Sequence, residues 1–385
     1  MLKYKPDLLF CPGGKLVPNM ILAINESAVV VDIYNDTEDP DTIPLEGILA
    51  PGFINCHCHL ELSHLINKVS PGGGLHNFIS ELVLERGNAD PNTVKSAIED
   101  NDSTMWANGI QAAGDICNDE STFSVKKKSK LTYYNFIEAF DLKPERTKVN
   151  FRKCEEIYNS HCNNHSLSIT PHAPYSVTPE LFKKITNHNG AIGNNLMSIH
   201  FMETESEKAL YKNRSGELYE LMAGLGIDYT WIRNEVKNAI DMVMPFMLGS
   251  RNLFVHNTFL DKQHIDLMDQ NGLLKEGSFC LCPNANIYIE RRLPDVELFR
   301  RENLNIVLGT DSLASNYNLS VIEEINTIIK HYPMIKLEEI LKWATENGAA
   351  YFGWDGLGSF KKGKSPGGVL INKTSGEKYK AERVF

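Results

Sequence analysis

His57 and His59 stand one residue apart in the run PGFINCHCH at residues 51–59. Side chains two positions apart on an extended strand project from the same face, so this pair can close on a single metal ion at a strand end. Three later segments supply what such a site still lacks: His200 with Glu203 in SIHFME, His256 in LFVHN, and Asp311 in VLGTDS. Each follows a short apolar run. With His57, His59, His200 and Asp311 as ligands, three neutral imidazoles and one carboxylate leave a divalent ion with one net positive charge and room for water. Zinc in an open site of this kind lowers the pKa of its water from about 15.7 to about 7. Iron or manganese would also accept these nitrogen and oxygen donors. Glu203, three residues past His200, can reach the water and a substrate nitrogen without occupying the ion. His256 is placed to hydrogen-bond the water or a developing oxyanion, and Asp311 to accept a proton.

Eight strand-like runs position these residues: ILAPGFIN, IQAAGDI, LTYYNFIEAF, LSITPHA, MSIHF, NLFVHN, SFCLCP and NIVLGTD, with amphipathic stretches between them. Eight parallel strands with intervening helices make a (β/α)8 barrel, whose reactive groups gather where the strands finish. His57, His59, Asp115, Glu138, His172, His200, His256 and Asp311 all fall at finishing ends. Residues 1–50 carry shorter strand patterns, MILAI, AVVVDI and TIPLEG, and a Gly/Pro-rich break from Gly363 to Gly368 precedes GVLIN. The expected architecture is α/β. Residues 1–50 plus 365–385 form a small β-sandwich domain, and residues 51–364 the TIM-type barrel.

A chain of 385 residues suits one large domain with an accessory one. Its 42% hydrophobic and 23% charged residues are those of a soluble globular protein. A net charge of −10 and a pI near 5.7 argue against a nucleic-acid partner. No apolar run reaches the ~20 residues of a membrane span, and MLKYKPDLLF lacks a secretory h-region. The eight cysteines show no loop-spaced disulfide framework, which fits reduced thiols in the cytoplasm. The basic run Lys126 to Lys130 reads as a solvated loop. Between His200 and His256 the chain is longer than a crossover needs. Its helical patterns ESEKALY, GELYELMAGLG and EVKNAIDMVMPFML are candidates for a lid, a specificity loop or a subunit contact.

In this order the motifs resemble the amidohydrolase superfamily, within it the branch of mononuclear-metal deaminases acting on aminated purines and related heterocycles. PGFINCHCHLELS is similar to that branch's PGFxNxHxHxE/P segment, PHAPYS to its PHAPYT, and GTDSLASN to its aspartate signature. The resemblance spans essentially the whole chain. It implies His57, His59, His200 and Asp311 as metal ligands, Glu203 as proton shuttle, His256 as the group orienting water, and His172 with Glu203 and Asp311 as substrate contacts. The implied partner is a small heterocyclic amine, deaminated by hydrolysis with release of ammonia, and a homo-oligomer is implied by analogy. Similar members include methylthioadenosine or S-adenosylhomocysteine deaminases, guanine deaminases, aminodeoxyfutalosine deaminases and triazine hydrolases. HLELS and AAGDICN look most like the aminodeoxyfutalosine type. The alternatives are a hydrolase of another C–N or C–Cl bond on the same fold and a non-catalytic metal-binding protein. A nucleic-acid-editing deaminase is disfavoured, since H-x-E with P-C-x-x-C is missing.

Three departures stand out. Cys58 occupies a position that is commonly threonine, CPNAN replaces CPxSN, and LSITPHA carries His172 rather than a lysine that could bridge two metals, which favours one ion. Taken alone, a histidine at a strand end is usually just a hydrogen-bonded polar residue; the ordered set carries the argument. Alternation along a strand turns Cys56 and Cys58 away from His57 and His59, which discounts a zinc knuckle. Cys280 and Cys282 are expected to pack in the barrel. Asp115 and Glu138 are open between substrate contact and structural hydrogen bonding, as are His64 and His76 between pocket and structural roles. Gly72 to Gly74 read as a rim loop, since no Lys-Ser/Thr follows.

Overall fold

The structure, a computed structural model, describes residues 1–36, 39–376 and 378–385. All eight predicted runs contain strands: β1 (Phe53–His59), β2 (Ile110–Cys117), β3 (Thr132–Ala139), β4 (Ser166–Pro171), β5 (Leu196–Phe201), β6 (Arg251–His256), β7 (Gly277–Leu281) and β8 (Ile306–Leu308). A short β9 (Asp311–Ser312) follows. Parallel ladders join β1 to β4 in sequence and β5 to β8 in sequence, and β9 returns to β1 with Asp311 opposite Cys58. These strands are buried along nearly their whole length, the condition under which β-branched and aromatic runs such as TYYNFIEA are stable.

Hydroxyls and single backbone bonds carry the joins between the two ladders. Ser168 Oγ donates to Leu196 O at 2.9 Å, and Thr170 Oγ1 both donates to Ser198 O (2.5 Å) and accepts Ser198 N–H (2.7 Å). His200 N–H donates to His172 O at 2.9 Å, so β4 and β5 are tied along their length. On the other side Thr310 N–H donates to His57 O at 2.9 Å. Each bond satisfies a backbone group that burial would otherwise strand.

One apolar cluster takes residues from every one of β1 to β8 except β4, including Ile54, Cys56, Phe136, Val255, Cys280 and Val307. Helix Glu346–Phe352 closes against it through Ala349, Tyr351 and Phe352. Cys280 and Cys282 are buried there, as expected. Cys56 and Cys58 do not share a face: Cys56 joins this cluster, whereas Cys58 packs in the larger one with Ile110 and Ala113. The β1–β2 ladder shifts register between Asn55 and Cys58, which breaks simple alternation just where the histidines begin.

Both chain ends enter one seven-stranded sheet. Leu2–Cys11 lies near its middle, antiparallel to Lys15–Pro18 and Met20–Ile24 and parallel to Ile43–Pro51. Gly368–Lys373 pairs antiparallel with Ile43–Pro51 on the far side, and Tyr379–Arg383 and Val30–Asn35 form the edges. Ile43–Pro51 then runs through Gly52 into β1.

The basic run is not wholly a solvated loop. Lys126 ends a short helix, Phe123–Lys126, and its side chain is fully buried against Asp115, which supplies the counter-charge; Lys127, Lys128 and Lys130 are exposed. The long segment after β5 forms helices Glu205–Asn213, Glu217–Gly224 and Ala239–Met247. No helix among the described residues is long and apolar enough to cross a membrane, and all eight cysteines are free.

Candidate metal centre and pocket

His57, His59, His200 and Asp311 converge although up to 254 positions separate them, with one donor atom from each inside a span of 4.8 Å. His59 Nε2 lies 3.4 Å from His200 Nε2 and 3.4 Å from Asp311 Oδ1, and His57 Nε2 is 3.5 Å from the same oxygen. Both ring nitrogens of His57 are buried without a hydrogen-bond partner. Buried imidazoles so left are costly unless something binds them. A divalent ion fits: the donors are nitrogen and carboxylate oxygen gathered at one point, and the outer atoms of His200 and Asp311 are held. His200 Nδ1 donates to His172 O at 3.0 Å, which fixes the tautomer that leaves Nε2 a free donor pair. Ser315 Oγ donates to Asp311 Oδ2 at 2.5 Å, and Glu61 Oε1 lies 3.5 Å from His59 Nδ1.

A second trio, Glu138, His172 and His200, also falls within 4.8 Å. There Glu138 Oε1 lies 3.5 Å from His200 Nδ1, the nitrogen already committed to a carbonyl. The four-residue set includes His57, whose ring nitrogens have no partner.

Electrostatics follow burial. Burial pushes His57, His172 and His200 below the usual imidazole range and His256 down to about 4, so these rings are neutral. His59 is also buried, but the Glu61 carboxylate beside its Nδ1 and the charges of Asp311 and Glu138 raise it to about 9. Burial works to raise Asp311, yet His57 at 3.5 Å and the other surrounding imidazoles hold it well below the usual carboxylate range.

Glu203 sits beside this cluster. Tyr175 O–H donates to its Oε1 at 2.7 Å, and its Oε2 is 3.7 Å from His256 Nε2. Burial raises its pKa to about 8, Tyr175 opposing and Asp311 adding. Backbone geometry aims these groups: Met202, His256 and Asp311 adopt φ of 47°, 72° and 56°, a left-handed region that side chains disfavour.

The cluster opens into a cavity of about 230 Å³ lined by His59, His172, His200, Glu203, His256 and Asp311 on its polar side. Leu75, Phe78, Ile79 and Leu82 of helix Gly74–Arg86, with Met222 and Ile289, make an apolar wall. A larger hollow of about 590 Å³ lies around Arg251, Gly277 and Tyr351, where strands start, away from the imidazoles.

Residues 48–382 match the sequence pattern of the amidohydrolase family. The chain belongs to this family. Among its relatives, an adenosine deaminase of Helicobacter pylori is 27% identical over 309 residues, 78% of this chain and 73% of that one. The crystal structure of Helicobacter pylori aminofutalosine deaminase in complex with methylthio-coformycin superposes with a TM-score of 0.81, at 21% identity, covering 97% of this chain and 93% of that one. An adenosine deaminase from Xanthomonas campestris, with bound zinc, gives 0.73 at 18% identity over 97% and 85% of the two chains. This amidohydrolase is thus a metal-dependent hydrolase of C–N bonds by family, and the mixed α/β architecture is that of its structural neighbours.

Every residue singled out as ligand, shuttle or substrate contact reaches the one site. Others do not. Asp115 turns to Lys126, away from the cavity, while Glu138 lines it, with Oε2 accepting from Asn118 Nδ2 at 3.1 Å. His76 pairs with Glu217 at 3.1 Å, and neither it nor His64 lines the cavity. Gly72 N–H donates to Tyr288 O, and Gly74 starts the helix that walls the pocket. In CPNAN, Asn284 Nδ2 donates to Glu324 and Asn286 Nδ2 to Thr258, so neither turns to the cavity. Sequence reasoning missed Tyr175, although PHAPYS contains it, and missed the apolar wall, whose residues follow the first motif in a helical spacing.

Proposed function

We propose that this amidohydrolase is a hydrolytic deaminase of an aminated purine nucleoside or related heterocycle, releasing ammonia. The observation that carries the reading is Glu203: a buried carboxyl that holds a proton near neutrality, set between Tyr175 and His256 at the edge of the donor cluster. Merely holding a metal requires no such group.

His57, His59, His200 and Asp311 would hold one divalent ion, zinc by the precedent of the Xanthomonas enzyme. The ion's contribution when bound is to acidify water and polarise the reacting centre. Glu203 donates its proton to the ring nitrogen next to the carbon bearing the amine, which makes that carbon electrophilic. The neutral His256 orients the attacking water and hydrogen-bonds the oxygen as charge develops. Asp311 takes one proton of the water and delivers it to the departing nitrogen, and the remaining hydroxyl proton returns to Glu203 as the carbonyl forms. The C–O bond forms, the C–N bond breaks, and water plus amine become carbonyl plus ammonia. His172, with Nδ1 held 2.6 Å from Ser176 Oγ, is steadied to meet the heterocycle.

The relatives' names support adenosine, methylthioadenosine, S-adenosylhomocysteine and aminodeoxyfutalosine as the substrates to try first. The two ladders and their joining bonds support a closed (β/α)8 barrel over residues 51–364, and the shared sheet supports residues 1–50 plus 365–385 as the β-sandwich domain. The acidic balance supports an enzyme that does not bind nucleic acid, the free cysteines support the cytoplasm, and kinship supports a homo-oligomer.

Zinc-loaded protein offered these nucleosides, guanine and a chlorinated triazine should release ammonia from at least one purine nucleoside. Chloride or alkylamine from the triazine with no ammonia from any purine would transfer the site to the alternative hydrolase chemistry. No hydrolysis of any member would leave a metal-binding protein.

A further inference from the structure

The short helix Phe123–Lys126 between β2 and β3 turns its last side chain inward. Lys126 and Asp115 form an ion pair in which both side chains are 0% exposed. Lys126 Nζ also donates to Asn135 Oδ1 at 2.7 Å and to Cys117 Sγ at 3.2 Å, and the rings of Phe123 and Tyr133 lie 5.2 and 5.3 Å from it. Asp115 directs its other oxygen to β1. Oδ1 accepts the Leu60 N–H at 2.8 Å and the Cys58 thiol at 3.3 Å.

Leu60 and Cys58 are the residues on either side of His59. The β1–β2 ladder shifts register between Asn55 and Cys58, and beyond the Cys58–Asp115 pair the Asp115 carboxylate extends the hold on β1 to Leu60, past His59. Next along, Glu61 faces His59 and accepts from Asn118 Nδ2 at 3.1 Å, and Asn118 bridges on to Glu138, which lies 3.5 Å from His200 Nδ1. A buried ion pair is weak evidence for stability, because desolvation offsets much of the attraction. Its effect here is local: the ammonium provides the counter-charge that lets Asp115 sit at this depth with both oxygens accepting.

We propose that Lys126 and Asp115 are positioning residues for the metal centre. They touch neither ion nor substrate, and they act by fixing the backbone on both sides of His59. The inference rests on the metal-centre reading above. It assigns a purpose to a lysine that composition alone places in solvent.

The test is zinc affinity, measured by chelator competition, with the visible spectrum of cobalt-substituted protein and the melting temperature of the metal-free form alongside. Lys126→Met should weaken zinc binding about 10–100-fold, the size typical when partners that orient ligands are lost, and should alter the cobalt bands. Wild-type affinity and an unchanged cobalt spectrum, at whatever melting temperature, would reduce the pair to a role in folding and overturn the proposal. Should Lys126→Met not fold, Lys126→Gln offers an amide N–H donor on a somewhat shorter side chain and removes the charge. Weakened zinc binding in that variant supports the proposal, and wild-type binding overturns it. Wild-type protein that binds no divalent ion would remove the metal-centre reading and this inference together, a result distinct from a normal wild type with a normal variant.

Discussion

Glu203 holds a proton in surroundings where a bare carboxylate is poorly solvated, and this decides what its removal should do. Glu203→Gln keeps the shape and the Tyr175 contact but can no longer give and regain a proton. Turnover should fall about a hundred- to ten-thousand-fold, the usual worth of a positioned acid–base group, with zinc content unchanged by elemental analysis. Zinc lost in step with activity would place Glu203 among the ligands instead. The ligands themselves were legible because each ends an apolar run and two share a strand. Tyr175 was not legible as a partner of Glu203, since nothing local to PHAPYS says which carboxylate its hydroxyl will meet. Lys126 was misread for a related reason: four other residues of its run are polar, and only the fold brings Asp115 across from β2.

Among the elements, helix Glu346–Phe352 packs closely against β1. A Cβ on Gly348 would stand 2.7 Å from Cys56 Sγ and 2.8 Å from Ile54 Cγ2. Gly348→Ala should therefore lower stability by about 1–3 kcal/mol through overpacking, read as a drop in urea midpoint at unchanged slope. An unchanged midpoint would show that the helix can shift outward. Strand positions were legible from period and composition, and Met20–Ile24 coincides with MILAI. Leu2–Cys11, near the middle of the terminal sheet, was passed over because Lys3, Lys5, Pro6 and Asp7 interrupt its apolar residues. The slip in β1 was invisible too. A register shift depends on the neighbouring strand, and CHCH alone reads as strict alternation.

At the scale of the molecule, residues far apart in sequence share one sheet. Gly368–Lys373 lies along Ile43–Pro51, and the Phe385 ring stacks on Tyr4 at 5.3 Å. Deleting residues 368–385 should strip Ile43–Pro51 of a neighbour along Ile48 to Pro51, giving little soluble protein and an early, broad melt by circular dichroism. A sharp melt near that of the intact chain would show those strands to be dispensable. The meeting of both ends was legible from the Gly/Pro-rich break and GVLIN. The pocket's apolar wall was not, because a helix with buried and exposed apolar residues looks the same in sequence whether it faces a core or a cavity.

The strand carrying His57 and His59 continues directly from Ile43–Pro51, and Pro51 is paired with Gly368. A ribosome making about 5–20 residues per second needs tens of seconds between those two points. Throughout that interval Ile48–Pro51, the stretch that leads into the first two imidazoles, waits for its neighbour in the terminal sheet.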